Sequence, residues 1–261
     1  MWKMSCGGFL PGGKRGMVME GLVMKANPGK RLEMRIGENI YMRIPVRTKV
    51  VSATDEIAEV AKEYIGGLLQ PADVVVVSEK AVAITQGRFY HVDEIKPSWL
   101  ARLLSKFVYN SPHGANLRCP KAMELAIGEV GWLRVLVAAL IGGLGKLFGI
   151  RGLFYRICGT KARSVDGAWE GTIPPYQRCI VLAPENPEKV AEQLKEALGC
   201  EAAVIDANDL GVNILGASSG VDQALLLELL RDNPLGQSTE QTPFGIIRRV
   251  PEEELEGFSA S

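Results

Sequence analysis

Residues 73–80 read Asp73-Val74-Val75-Val76-Val77-Ser78-Glu79-Lys80. Four consecutive valines are too few for a helix and are apolar on both faces, so they predict a central strand buried on both sides of a sheet. Upstream, Thr54 precedes a helical pattern in which Ile57, Val60, Ala61, Tyr64, Ile65 and Leu68 share one side and Pro71 stops the run. That helix is expected to cover the sheet. Downstream, Cys179 to Ala183 reads as a strand, and Asn186 as the cap of a helix with Pro187 in its first position. Val190, Leu194 and Leu198 form that helix's stripe, Gly199 ends it, and Ala202 to Ile205 is a further strand. Strand, helix and strand at these lengths predict a βαβ unit with two parallel strands and a right-handed crossover. The expectation is a mixed α/β (α+β) fold: a buried sheet, flanking helices and one βαβ unit.

The 261 residues are 47% hydrophobic and 23% charged, the balance of a chain with a packed core rather than a disordered one. Thirty Lys and Arg offset thirty Asp and Glu. A net charge of zero supplies no global field for nucleic acid or an anionic membrane, so an anionic ligand must be held locally. Five cysteines, Cys6, Cys119, Cys158, Cys179 and Cys200, are odd in number and form no CxxC pair, which reads as reduced thiols in the cytoplasm. His91 and His113 are the only histidines, so a His-based zinc site or a Ser-His-Asp hydrolase would rest on one of them.

Residues 1–43 read as an N-terminal extension, 44–250 as the main domain and 251–261 as an acidic, frayed tail. Within the extension, Met17 to Met24 and Arg31 to Ile36 alternate like short strands and lack the apolar core of a secretory signal. Val135 to Leu144, between Arg134 and Lys146, is the most hydrophobic segment. It is shorter than the roughly 20 residues of a membrane span and predicts a buried helix, its Gly142, Gly143 and Gly145 suiting close packing. Trp99, Leu103 and Phe107 recur every four residues, with Arg102 and Lys106 on another face, and predict a second helix against the core, the alternative being a helix that docks on a membrane or a partner.

Asp206 falls at the end of a predicted strand, where α/β sheets gather ligands, although the following Ala207-Asn208-Asp209-Leu210-Gly211 also suits a turn. Gly216 to Gly220, before a helix expected over Val221 to Asp232, is either a phosphate-cradling loop or a plain turn. Neither GxxxxGK[ST] nor GxGxxG is present.

Several blocks in order resemble the coenzyme F420-0:L-glutamate ligases, the F420 gamma-glutamyl ligases, over about residues 44 to 248. Ile44-Pro45-Val46-Arg47 sits where that family has a Leu-Pro nucleotide-binding turn. Residues 73–80 with Gln86-Gly87-Arg88 resemble its strand and Ser-Lys-x-Val-Ser-Lys-x-Glu-Gly-Arg signature. Ser164-Val165-Asp166 and Val204-Ile205-Asp206-Ala207 match segments that supply metal-binding carboxylates. Leu235-Gly236-Gln237-Ser238-Thr239-Glu240-Gln241-Thr242-Pro243, with Ile246-Ile247-Arg248, resembles a Met-Gly-Gln-x-x-Glu-Gly-x-Pro segment over the nucleotide. The resemblance implies nucleotide contacts from residues 44–47, Glu79, Lys80 and 235–242, and metal ligation by Asp166, Asp206 and Gln237. It assigns no catalytic residue.

The implied activity is GTP-dependent joining of L-glutamate to a carboxylic acid through an acyl phosphate, with Mn²⁺ or Mg²⁺. Amide formation between such partners in water is uphill, and phosphorylation turns a carboxylate oxygen into a leaving group. Hard oxygen ligands suit the cations that neutralise a triphosphate, and the protein's share is positioning and charge stabilisation. Arg88 and Lys80 are candidates to pair with phosphate or the glutamate carboxylate, or plain surface charges. The chain departs from the family pattern at Glu79 (Ser), Ile84 (a nucleotide-binding Lys), Gln86 (Glu) and Ala207 (Thr). The alternative is a non-catalytic nucleotide- or metal-binding module. The expected partners are the acid, L-glutamate and the nucleotide, with no nucleic acid and no membrane span, and the resemblance suggests a homodimer.

Overall fold

Val75, Val76 and Val77 are fully shielded from solvent at the centre of a six-stranded sheet. The computed structural model describes residues 25–108, 117–150, 152–159, 162, 165–168, 171–208, 211–236 and 239–252. Its strands are β1 (Glu33–Ile36), β2 (Asn39–Val46), β3 (Val74–Ser78), β4 (Phe89–His91), β5 (Cys179–Val181), β6 (Glu201–Asn208), β7 (Gly211–Ala217) and β8 (Phe244–Val250). Its helices are α1 (Ile57–Ile65), α2 (Glu79–Thr85), α3 (Trp99–Leu104), α4 (Pro120–Val130), α5 (Trp132–Leu147), α6 (Leu153–Cys158), α7 (Pro187–Leu198) and α8 (Gln223–Leu229).

The main sheet runs β1-β2-β8-β3-β6-β7. Of its neighbouring strands only β3 and β6 are parallel, with Ser78 opposite Ile205; the other pairs are antiparallel. The fold is thus mixed α+β, as expected. Alternation along β3 decides what lies on each face. Val75 and Val77 pack with Val60, Ile65, Val190 and Leu194 beneath α1 and α7. Val76 turns the other way, to Leu226, Leu229 and Leu230 of and after α8. β2 runs unbroken across residue 43, so Glu33–Ile36 and Asn39–Val46 form a hairpin on the sheet edge, turning at Gly37.

Four expectations are corrected. The predicted βαβ unit does not form, because β5 pairs antiparallel with β4 in a separate two-stranded sheet, and the parallel neighbour of β6 is β3. Strand pairing is set by nonlocal contacts, which local pattern does not encode. Asn186 stands at the start of α7 in the left-handed conformation (φ 48°) with no side-chain cap bond, while Gly199 (φ 74°) ends the helix as expected. The helix after Gly220 spans only Gln223–Leu229, with the Asp222 carboxylate accepting from the Leu225 amide. The amides of Ser219 and Gly220 are occupied by Glu192 and Glu201, so carboxylates already stand where a phosphate was considered.

The fourth concerns the helical layer between β4 and β5. One core joins α3, α4, α5 and Cys158 through Leu104, Met123, Ala126, Val135 and Ala138. Yet Trp99, Leu103 and Phe107 around α3, and Leu133, Leu140 and Leu144 of α5, are exposed, not buried. Met17 to Met24, Ser164, Gln237, Ser238 and residues 253–261 of the tail lie outside the described residues.

Candidate functional site

β2, β3 and β6 all run toward the same edge of the sheet, and β8 starts there. Chain ends converging on one edge bring distant segments together, and α/β sheets gather ligands beyond such an edge. Val46 pairs with Phe244, and beyond them the Thr48 amide donates to the Gln241 carbonyl (3.1 Å) while Gln241 Nε2 donates to the Thr48 carbonyl (2.6 Å). The Ser78 amide donates to the Pro243 carbonyl at 2.9 Å. Segments 44–48, 78–80 and 239–243 therefore meet, although they are far apart in sequence.

Within this edge the predicted residues divide by exposure. Ile44 and Val46 are buried core residues, Pro45 is buried between them, and Arg47 is exposed. Leu235 is buried against Val76 and Ile247, and Gly236 adopts φ 79° with Glu240 packed where a side chain would stand. The Thr242 hydroxyl donates to the Leu235 carbonyl (2.6 Å) and accepts from Asn27 (3.0 Å), and Gln241 is itself left-handed (φ 61°). Thr239 is exposed, whereas Gln237 and Ser238 fall outside the described residues.

The acidic residues gather around the first turn of α2. Ser78 caps that helix, its hydroxyl accepting from the Ala81 amide, and Glu79 and Lys80 follow. Lys80 Nζ lies 2.5 Å from Asp166 Oδ2. Asp166 is held in place by its own backbone, which exchanges hydrogen bonds with Val181. Asp206 lies one residue past the partner of Ser78 on β6 and opposite Asn213 on β7. The strand continues through Asn208, so the segment after Asp206 is the end of a hairpin arm rather than a turn at residue 207.

Burial raises the pKa of Asp206 above its ordinary value, and nearby Asp166 adds to that rise; hydrogen bonds to Asn213 and Asn208 and the Lys80 charge oppose it. Burial pushes Glu79 up further, with Asp206 and Asp166 adding repulsion and Lys80 opposing. One Glu79 carboxyl oxygen, Oε2, is shielded from solvent and has no hydrogen-bond partner. A shielded, unpartnered acid near two other acids, with one lysine among them, is a local excess of negative charge. Among the described residues no three His, Cys, Asp or Glu side chains are gathered closely enough to form a ready metal cage. The donors are nevertheless all hard oxygens, the type that Mg²⁺ and Mn²⁺ prefer, and the orphaned Oε2 fits the same charge requirement.

Arg88, a candidate phosphate partner, is a half-buried clamp instead. Its guanidinium bonds Glu129 (2.6 Å), Glu185 (2.8 Å) and the Ala183 carbonyl, tying β4 to the segment after β5. Ile84 is packed in the core, so its departure from lysine leaves no cation at that position. Sequence reading missed Asn213. Its signal was the turn-forming composition of residues 208–211 in the sequence; β7 pairs antiparallel with β6 and sets Asn213 opposite Asp206.

A family model described as F420-0:gamma-glutamyl ligase matches residues 45–210, well over half of the chain. No curated protein matches it.

Proposed function

This chain belongs to the F420-0:gamma-glutamyl ligase family, and we propose that it joins the amine of L-glutamate to a carboxylic acid, using GTP or ATP to activate the acid as an acyl phosphate. The observation that carries this reading is the pairing of Asp166 with Lys80 on the first turn of α2, at the sheet edge where Asp206 follows the partner of Ser78 and segments 44–48 and 239–243 also meet. Asp166 and Asp206, with Gln237 by resemblance, would hold a divalent cation, Mn²⁺ or Mg²⁺. Such a cation, when bound, would neutralise the triphosphate and polarise the transferred phosphoryl group.

The chain's own residues have definable tasks. Backbone groups of 44–48 and 241–243, fixed to one another, would set the position of the nucleotide, and Arg47, exposed beside them, offers a guanidinium for a phosphate. Lys80, held by Asp166, brings an ammonium among the carboxylates and would follow charge as the acid is phosphorylated. Asn213 from β7, together with Asn208, would fix the orientation of Asp206 toward a cation.

The test is nucleoside diphosphate release with Mn²⁺ or Mg²⁺, glutamate and a panel of carboxylic acids. Acid-dependent release that falls by about 10²- to 10³-fold in Asp206→Asn and in Asp166→Asn supports the reading. Release that ignores both substitutions, or no acid-dependent release across the panel, overturns it. A second reading, a nucleotide- or metal-responsive module without turnover, is favoured by the buried Ile84 and by Lys80 being engaged with Asp166. Stabilisation of the fold by nucleotide without diphosphate release would select that module.

A further inference from the structure

In α5 most of the large apolar side chains are exposed, Val135 being buried. Trp132 is 61% exposed and Leu140 62%, and Leu133, Val137, Ile141 and Leu144 are exposed with them. Three of its small residues point inward: Ala138 is fully buried, a Cβ on Gly142 would lie 3.2 Å from the Phe154 Cβ, and one on Gly145 would lie 2.3 Å from a Leu153 methyl. A helix folding in water alone gains most by burying its leucines and leaving glycine and alanine outside. Small residues at the helix contact and large apolar ones outward is the arrangement used where the outside is lipid.

A second exposed face, on the same helical core, repeats the chemistry. Trp99 (75% exposed), Arg102, Leu103, Lys106 and Phe107 fall at i, i+3, i+4, i+7 and i+8, so the aromatic, aliphatic and basic side chains share one side of α3 and its following turn, which corrects the separate basic face expected from the sequence. The opposite side, Ala101, Leu104 and Val108, is in the core.

Charge identifies what covers these faces. Between residues 95 and 163 the sequence has eleven Lys and Arg against two acids, Glu124 and Glu129. Both acids are engaged internally, Glu124 by Ser98 and Glu129 by Arg88. Exposed basic residues there include Lys96, Arg102, Lys106, Arg118, Arg134 and Arg156. The rest of the chain therefore has an equal excess of acids, nineteen Lys and Arg against twenty-eight Asp and Glu. A second copy docked symmetrically through the same face would set one basic layer against another. An anionic bilayer instead offers hydrocarbon for the leucines, an interfacial zone for the tryptophans and phosphates for the arginines and lysines. Among the described residues no single helix is long and apolar enough to cross a membrane; α4 and α5 reach that length and apolarity only together, across a 115° bend, and a surface contact suits such a bent pair. We propose that the α3–α5 layer docks this protein onto the surface of an anionic phospholipid bilayer, Leu140 and Leu144 entering the acyl boundary and the basic residues gripping the headgroups.

Flotation of the full chain with phosphatidylcholine vesicles containing about 30 mol % phosphatidylglycerol tests this. The expected result is binding about tenfold above that to phosphatidylcholine alone, weakened by salt. Two double variants separate the forces: Leu140→Glu with Leu144→Glu, and Arg102→Glu with Lys106→Glu. All four positions are exposed, so each variant should keep the parent melting temperature while losing about tenfold in vesicle binding. No binding by the parent at low salt overturns the proposal. So does binding that both variants retain, or a solution dimer that Leu140→Glu with Leu144→Glu dissolves while vesicles remain bare.

Discussion

Glu79 follows the capping Ser78 in the first turn of α2, and its environment sets the direction of its effect on stability. Burial and the nearby Asp206 and Asp166 raise its pKa well above the ordinary 4.5. A carboxyl whose folded pKa is raised binds its proton more tightly in the folded chain. The stability tied to that proton is fully present below the unfolded value and is lost as pH climbs through the raised folded value. Glu79→Gln should therefore melt higher than the parent near neutral pH (about pH 7) and equally below the unfolded carboxyl range, as melting temperatures across that series would show. Equal melting at every pH would mean that Glu79 is compensated. Asp73 is the contrasting acid: Arg248 meets both of its oxygens, at 2.9 and 2.7 Å, and both side chains are buried. Asp73→Asn should cost about 3–5 kcal/mol in urea denaturation, because it leaves a buried guanidinium without its charge partner.

At the scale of elements, much of the fold was legible. The valine run at 74–77 marks β3 because four β-branched residues in a row leave no polar face, and the stop at Pro71 separates it from α1. The stripe of α7 and its glycine end were legible for the same local reasons. Which strand β5 joins was not, since pairing is decided by segments 90 residues away in sequence on β4. The candidate site was legible as separate blocks rather than as a place. Asp166 and Asp206 were each marked, but their approach depends on a bridge to β5 and on the register of β6 with β3, neither of which is written locally. Gly216 shows how tightly β7 meets α7: a Cβ there would lie 2.2 Å from the Glu188 nitrogen and 2.3 Å from the Pro187 carbonyl carbon. Both obstacles are backbone. Gly216→Ala should thus destabilise by at least the about 1–3 kcal/mol of an overpacked core, read as a lower denaturation midpoint.

For the whole molecule, hydrophobic periodicity shows which residues share a face but not what covers that face, and this is why α5 reads as a core helix in sequence and presents its leucines outward in the structure. The balanced total of thirty and thirty conceals how the signs are sorted along the chain. A body whose positive and negative portions cancel carries a dipole moment in place of a net charge. In dilute buffer the basic portion of one molecule attracts the acidic portion of the next, head to tail, and the first additions of salt weaken that attraction. Light scattering should accordingly fall, and solubility rise, as ionic strength increases from near zero: a salting-in response from a protein whose titration curve alone would call it neutral.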